Sequence, residues 1–233
     1  MISWSIDLGG KYFPAKRFTF NLQEGKRIIM STTGGADSAI LLYIAAKLNL
    51  EHGNPSELIN VQIQVEENQT NHIFSESVVR YVNHLLGSNL NIPYQEGWEY
   101  IDLDNFHKKL VAVKKPLIEK YQIDEFIMGN TKNPPDEIFV HGRIFRPEMN
   151  GNPYYEDAVY APFADFDKRY VIDLYSKLER FDLLALTHSC DINTNMEYCG
   201  SCCMCDEREW AFRENRLIDP APRKFKDENI CRL

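Results

Sequence analysis

Two stretches of the sequence have residue types spaced for chemistry. The first lies between a predicted buried strand and a predicted buried helix and consists of Thr33, Gly34, Gly35, Ala36, Asp37 and Ser38. Glycines let backbone N–H groups approach an anion closely, and a helix start adds unpaired N–H groups and a positive dipole end. The stretch therefore predicts a phosphate-binding loop. The plainer interpretation is a strand–helix turn with Asp37 as its N-cap.

The second stretch is a cysteine cluster that holds five of the six cysteines. Four of them have the spacing of a tetrahedral thiolate site, which Zn²⁺ usually fills: Cys190, Cys199, Cys202 and Cys205. Four thiolates leave no open position, so this metal is expected to be structural. The competing interpretation is buried or redox-active thiols. Cys203 and Cys231 are left out, and His188 is expected to be a neighbour of the site rather than a ligand.

Strands that alternate with helices must position both stretches. Strands are predicted over 27–30, 58–65 and 125–129, with a hairpin or edge strand in the first 26 residues. Helices are predicted over 38–48, 74–86, 103–113, 170–178 and 206–216, whereas 130–160 has the composition of a long loop. This order predicts an α/β fold with a doubly wound, mainly parallel sheet. Tyr170 and Tyr175 have the spacing of core residues.

Composition narrows the function classes. The 233 residues are 44% hydrophobic and 26% charged, which is ordinary for a globular protein and excludes collagen-like or disordered chains. Acidic residues outnumber basic ones by 34 to 26, for a net charge of −8, which argues against nucleic acid as a partner. No apolar run approaches membrane-spanning length, and no secretory pattern opens the sequence. We therefore expect a cytoplasmic protein without a membrane partner.

The polar loop resembles the S-G-G-x-D-S pyrophosphate-binding loop of the PP-loop (N-type) ATP pyrophosphatases, with Thr33 in place of the first serine. The stretch from Cys199 to Phe212 resembles the zinc segment of the 7-cyano-7-deazaguanine synthase family. The run from Pro162 to Lys168 and the pair Ile218-Asp219 are also similar to that family. The resemblance extends over nearly the whole chain.

This resemblance implies an adenine nucleotide alpha hydrolase-like domain over 1–186 and a zinc-binding segment over 187–233. It implies an ATP-dependent ligase that uses magnesium and ammonia to convert 7-carboxy-7-deazaguanine to the nitrile through an adenylated intermediate. A homodimer is also implied. Asp37 and Ser38 would be catalytic, and the residues expected to bind ATP are Ser31, Thr33, Gly34, Gly35, Ala36, Asp37, Ser38, Gly129 and Lys168. Lys168 would reach a phosphate, although a solvated lysine is the plainer interpretation.

Two departures from the family leave the acceptor open. The stretches 66–72 and 129–136 lack the family's Y-G-Q-x-H and Y-P-D-C-R-like segments, which are expected to shape the acceptor pocket. A PP-loop enzyme that modifies a tRNA base is one alternative. Another is a relative that attaches a deazapurine to a protein. A third is a zinc-knuckle interaction module with an inactive loop. Arg208 is expected to pair with a glutamate or to form a cap near the zinc knuckle, and contact with substrate is the alternative.

Overall fold

A computed structural model describes residues 1–65, 71–87, 92, 94–101, 116–142, 154–155, 159–190 and 198–220. The strands are β1 Ile2–Leu8, β2 Lys16–Leu22, β3 Arg27–Ser31, β4 Glu57–Val65, β5 Tyr94–Ile101, β6 Glu125–Met128, β7 Tyr154–Tyr155 and β8 Val159–Tyr160. The helices are α1 Ala36–Glu51, α2 Asn71–Leu86, α3 Lys168–Lys177, α4 Phe181–Ala185 and α5 Cys203–Glu214. Residues 116–121 are also helical, and Asp136–Ile138 forms a 3-10 turn.

The main sheet has six strands in the order β5-β4-β3-β6-β8-β7. All neighbouring pairs are parallel except β7 with β8, and β1 and β2 form a separate antiparallel hairpin. The order of the strands reverses between β3 and β6. Ligands of open α/β sheets bind at such a reversal, beyond the carboxyl ends of the strands. The predicted α/β class with a mainly parallel sheet is confirmed.

Alternation along β3 shows why the sheet is covered on both faces. Ile28 and Met30 belong to the large core that also contains α1, whereas Ile29 packs with Phe126 in a second core. Such two-sided burial is typical of parallel strands. Helix α1 is apolar on most sides because the other helices and the β1–β2 hairpin surround it, and twelve of its sixteen residues are buried. The chain between β3 and α1 is thereby held at both ends by rigid elements.

Several predicted boundaries differ from the structure. Strands β7 and β8 lie in the stretch predicted to be loop, because two-residue strands leave no periodic pattern. The last helix begins at Cys203, three residues before its predicted start, since its first turn consists of cysteine-cluster residues. The helix predicted over 103–113 lies outside the described residues. Within the described part of the chain, no helix is long and apolar enough to cross a bilayer.

Glu125, at the start of β6, is a buried carboxylate with only 3% exposure. Gln23 donates a hydrogen bond of 3.3 Å to Oε1, and Oε2 has no partner in the described part of the structure. Burial outweighs this bond and the charge of Lys26, so it raises the pKa of Glu125 to about 7. The folded protein therefore binds a proton here that the unfolded chain releases at lower pH.

We predict that Glu125→Gln removes a pH dependence of stability. Because the folded pKa lies above the unfolded value of 4.5, the free energy of unfolding of the parent falls as pH rises from about 4.5 through 7. At pH 8 the variant should be more stable by about 2 to 3 kcal/mol, measured by urea unfolding. Glu57→Gln, an exposed change at the start of β4, is the matched control. Parallel pH profiles for Glu125→Gln and the parent would contradict the prediction.

Candidate active site and metal centre

The predicted phosphate-binding loop lies directly after β3, where the strand order reverses. Hydroxyl groups hold its shape: Thr33 N donates to Ser38 Oγ at 3.1 Å, and Ser38 Oγ donates to the Gly35 carbonyl at 3.2 Å. Gly35 is the N-cap of α1 and has no side-chain capping bond. Gly35 has no side chain that could cap the first N–H groups of α1. An anion site uses these N–H groups as its donors.

Gly34 has a φ of +79°, and it lies against α2. A Cβ there would come within 2.6 Å of the Phe74 Cβ and 2.9 Å of the Ser75 nitrogen. Ser75 Oγ also donates to the Thr32 carbonyl at 2.7 Å, which fixes the other side of the turn. Only glycine fits this position, because both the backbone angle and the space exclude a side chain.

Asp37 in the first turn of α1 pairs with Lys168, the first residue of α3. Both side chains are largely buried, with 17% and 6% exposure. A lysine at a helix start opposes the helix dipole, so its position does not serve the stability of α3. The pair brings the first turns of two helices together. The interpretation of Lys168 as a solvated lysine is therefore wrong. The N-cap of α1 is Gly35, so the prediction that Asp37 caps this helix is also wrong.

Gly129 follows β6 and touches the same turn from the neighbouring strand. A Cβ at Gly129 would lie 2.8 Å from the Ser38 nitrogen and 2.9 Å from the Asp37 carbonyl carbon. The structure thus brings together residues from β3, α1, β6 and α3 around one loop. Ser31 is the last residue of β3 and is buried. Binding of ATP by these residues stays a prediction.

Three anchors of the loop were missed at the sequence level. Tyr175, expected only to pack, is buried and also donates from its hydroxyl to the Ala36 carbonyl at 2.7 Å. Ser75 holds Thr32, and the His188 N–H donates to the Gly34 carbonyl at 2.9 Å. Bonds to backbone carbonyls leave no sequence signal, because any residue can supply the carbonyl.

The four predicted ligand cysteines meet in one cluster, with all Sγ atoms within 4.8 Å of one another. The Cys199 and Cys205 sulfurs are 3.8 Å apart, and those of Cys190 and Cys202 are 3.9 Å apart. Zinc–sulfur bonds of about 2.3 Å in a tetrahedron place neighbouring sulfurs about 3.8 Å apart. The residues therefore fit a single tetrahedral metal ion. The four irons of an iron–sulfur cubane would hold four thiolates further apart.

The backbone also prepares this site for thiolates. Ser201 N donates to the Cys199 sulfur at 3.3 Å. Gly200, with a φ of +63°, makes the turn between Cys199 and Cys202. Cys205 lies in the first turn of α5, at its positive dipole end. Hydrogen bonding with Cys202, together with burial, raises the pKa of the Cys190 thiol to about 12. A cation is needed to hold these sulfurs as thiolates.

Arg208 anchors the segment behind the cysteines. Its guanidinium makes two bonds to the Asp219 carboxylate, at 2.7 and 2.9 Å, and both side chains are almost fully buried. A third bond of 3.1 Å reaches Thr187 Oγ1. Arg208 does pair with a carboxylate, but its partner is Asp219 rather than the expected glutamate. Burial, followed by the charge of Arg208, lowers the pKa of His188, beside Thr187, to about 4.

The parallel sheet, the glycine loop at its reversal point and the four-cysteine segment together define an α/β protein with a candidate phosphate site and a candidate metal centre. The family model described as "Queuosine biosynthesis protein QueC" matches residues 149–216. The matched segment contains Lys168 and all four clustered cysteines. Over these residues, which are less than a third of the chain, the match confirms the predicted resemblance to the 7-cyano-7-deazaguanine synthase family.

Comparison with whole proteins finds matches among solved structures. No curated protein matches the sequence significantly. Among solved structures, the U34-tRNA thiolase NcsA from Methanococcus maripaludis with its [4Fe-4S] cluster has 13% sequence identity and a TM-score of 0.45. The match covers 91% of this chain and 78% of NcsA.

We predict that Cys199→Ala abolishes metal binding. Three thiolates and a vacancy hold zinc far more weakly, and structural metal binding is part of the folding free energy. The variant should lose bound zinc, measured by elemental analysis, and its Tm should fall by about 10 °C or more. Cys203→Ala is the matched control, because this interleaved cysteine lies outside the sulfur cluster. Full zinc content and an unchanged Tm in Cys199→Ala would remove the site.

Proposed function

We propose that this protein is an ATP-dependent ligase that converts 7-carboxy-7-deazaguanine and ammonia to 7-cyano-7-deazaguanine. The observation that carries the proposal is the loop from Thr33 to Ser38, bounded by Gly129 and the Asp37–Lys168 pair at the reversal of the sheet. The family match over 149–216 supports the acceptor, because its description assigns that family to queuosine biosynthesis.

The loop is suited to a leaving pyrophosphate. Attack by the substrate carboxylate on the α-phosphorus of ATP breaks the bond to the bridging oxygen, and pyrophosphate leaves with the electron pair. Backbone N–H groups at the start of α1 and the hydroxyls of Thr33 and Ser38 stabilise the charge that grows on it. No protein nucleophile is required, since the carboxylate is the nucleophile, and positioning supplies much of the rate.

Lys168 and Asp37 have different electrostatic roles in the proposed reaction. In the absence of nucleotide their charges compensate each other within a largely buried site. A bound phosphate would compete for Lys168, and the Asp37 carboxylate would then be available to hold the magnesium that accompanies ATP. Asp37 therefore orients the loop or the metal rather than acting as a proton-transfer base.

The remaining chemistry follows from the acyl adenylate. Ammonia adds to the acyl carbon and loses a proton, and AMP leaves with its electron pair to give the amide. In a second activation the amide oxygen attacks another α-phosphorus and releases pyrophosphate. Loss of AMP and of the two amide protons then gives the nitrile. The four cysteines would hold zinc for structural stability, because a closed four-thiolate site has no position for substrate.

The proposal also includes three expectations from the sequence, which are a metal segment that begins near residue 187, a homodimer and a cytoplasmic location. Trp210, Ala211 and Phe212 of α5 pack in the same core as α1, which supports a metal segment docked on the proposed nucleotide domain. The acidic balance of the chain argues against the tRNA-modifying alternative.

The deciding experiment is mass spectrometry of a reaction that contains the purified protein, ATP, Mg²⁺, ¹⁵N-ammonia and 7-carboxy-7-deazaguanine. A ¹⁵N-labelled nitrile together with AMP is the expected result. AMP without nitrile would overturn the acceptor and favour conjugation to a protein, which intact-mass analysis of candidate partners would reveal. Absence of ATP consumption would overturn the enzyme assignment and favour an interaction module.

We predict that Asp37→Ala and Asp37→Asn each lower AMP formation by at least about a hundredfold, because the loop loses the group that orients magnesium. Thermal unfolding shows whether the fold is retained, and the isosteric asparagine limits the penalty of leaving Lys168 unpaired. Asp165→Asn, an exposed carboxylate just before α3, is the matched control. Normal turnover by a folded Asp37→Asn protein would exclude the proposed role.

A further inference from the structure

A small cavity of about 180 Å³ lies beside the proposed nucleotide loop. Its lining includes Phe74 of α2, together with Thr187, His188 and Tyr198 from the segment that leads to the cysteines. Phe74 and His188 both touch Gly34: a Cβ at Gly34 would strike Phe74, and the His188 N–H bonds to the Gly34 carbonyl. The cavity therefore shares two of its walls with the loop.

Three of the eight residues that line this cavity carry aromatic rings, and these rings contact one another. The rings of Phe74 and His188 are stacked, with centroids 4.5 Å apart and planes 9° apart. Tyr198 covers His188 at 4.7 Å with a tilt of 46°, and its hydroxyl donates to the Thr187 carbonyl at 3.2 Å. Arg208 lies over the Tyr198 ring at 4.9 Å. Stacked rings of this kind favour a flat, delocalised ligand over an aliphatic one.

One nitrogen atom of the lining residue His188 makes no hydrogen bond in the described part of the structure. This atom is Nε2, and His188 is only 3% exposed. Leaving a buried imidazole nitrogen without a partner is costly, so such an atom in a cavity wall calls for a ligand group or an ordered water. A ligand with a polar ring edge would satisfy it.

From these observations we infer that the cavity beside Phe74, His188 and Tyr198 binds the acceptor as a planar, nitrogen-containing heteroaromatic ring, with His188 Nε2 hydrogen-bonded to the ring edge. The inference rests on the proposed adenylating function, since its location places the acceptor next to the loop that activates it. It assigns base recognition to His188, a residue that the sequence placed only beside the metal site.

The first test is direct binding of 7-carboxy-7-deazaguanine, measured by calorimetry on the zinc-loaded protein without ATP. His188→Phe keeps a stacking ring and removes Nε2, whereas His188→Gln keeps a polar group near Nε2 and removes the ring. Each variant should raise the Kd of this acceptor at least about tenfold, because each loses one of the two contacts. His84→Phe, at an exposed position near the end of α2, is the matched control.

The second measurement is the Kd of ATP-Mg²⁺ for the same proteins, with zinc content and Tm as checks of folding. The expected pattern is a loss of acceptor affinity in both His188 variants that is larger than any change in the ATP Kd. Unchanged acceptor affinity in both variants would overturn the inference. So would a parent that binds ATP but does not bind the heteroaromatic acid, and this result would leave adenylation standing. A parent that does not bind ATP would instead overturn the proposed function, and the acceptor affinities would still decide the role of the cavity.

Discussion

The shape of the loop from Thr33 to Ser38 depends on close backbone contacts at Gly34. Helix α2 approaches this residue so closely that a β-carbon would overlap Phe74, while the His188 N–H holds its carbonyl from the opposite side. The loop keeps its shape only when α2 and the segment before the cysteines are both in place. The loop, α2 and this segment are therefore parts of one site, although they are distant in the sequence.

The segment that contains the four cysteines also helps to position the loop. The chain runs from the loop contact at His188 to Cys190 within two residues, and Arg208 ties Thr187 to Asp219 behind the cluster. A metal that draws four thiolates together restricts the backbone at Cys190 and hence the position of His188. A structural metal at this site would be connected to the proposed nucleotide chemistry through packed backbone, which is nearly incompressible over such a short path.

Elements with strong local patterns were predictable, and elements defined by distant partners were not. The continuous apolar runs of β3 and α1 and the cysteine spacing are signals contained in the sequence itself. Strands β7 and β8 are too short for periodicity and exist because β6 offers an edge for pairing. The Asp37–Lys168 pair and the Tyr175 bond to Ala36 join residues more than 130 positions apart. Only the sheet topology brings them together.

The large core is closed by pieces from opposite ends of the described chain. The β1–β2 hairpin contributes Phe18 and Phe20, and α5 contributes Trp210 and Phe212 to the same cluster as α1. During synthesis, α1 emerges long before α3 and α4, which cover it, so its nearly all-apolar surface stays partly uncovered until these helices have left the ribosome. Folding of this protein is thus expected to be late and non-local, with the unfinished chain exposed to chaperones.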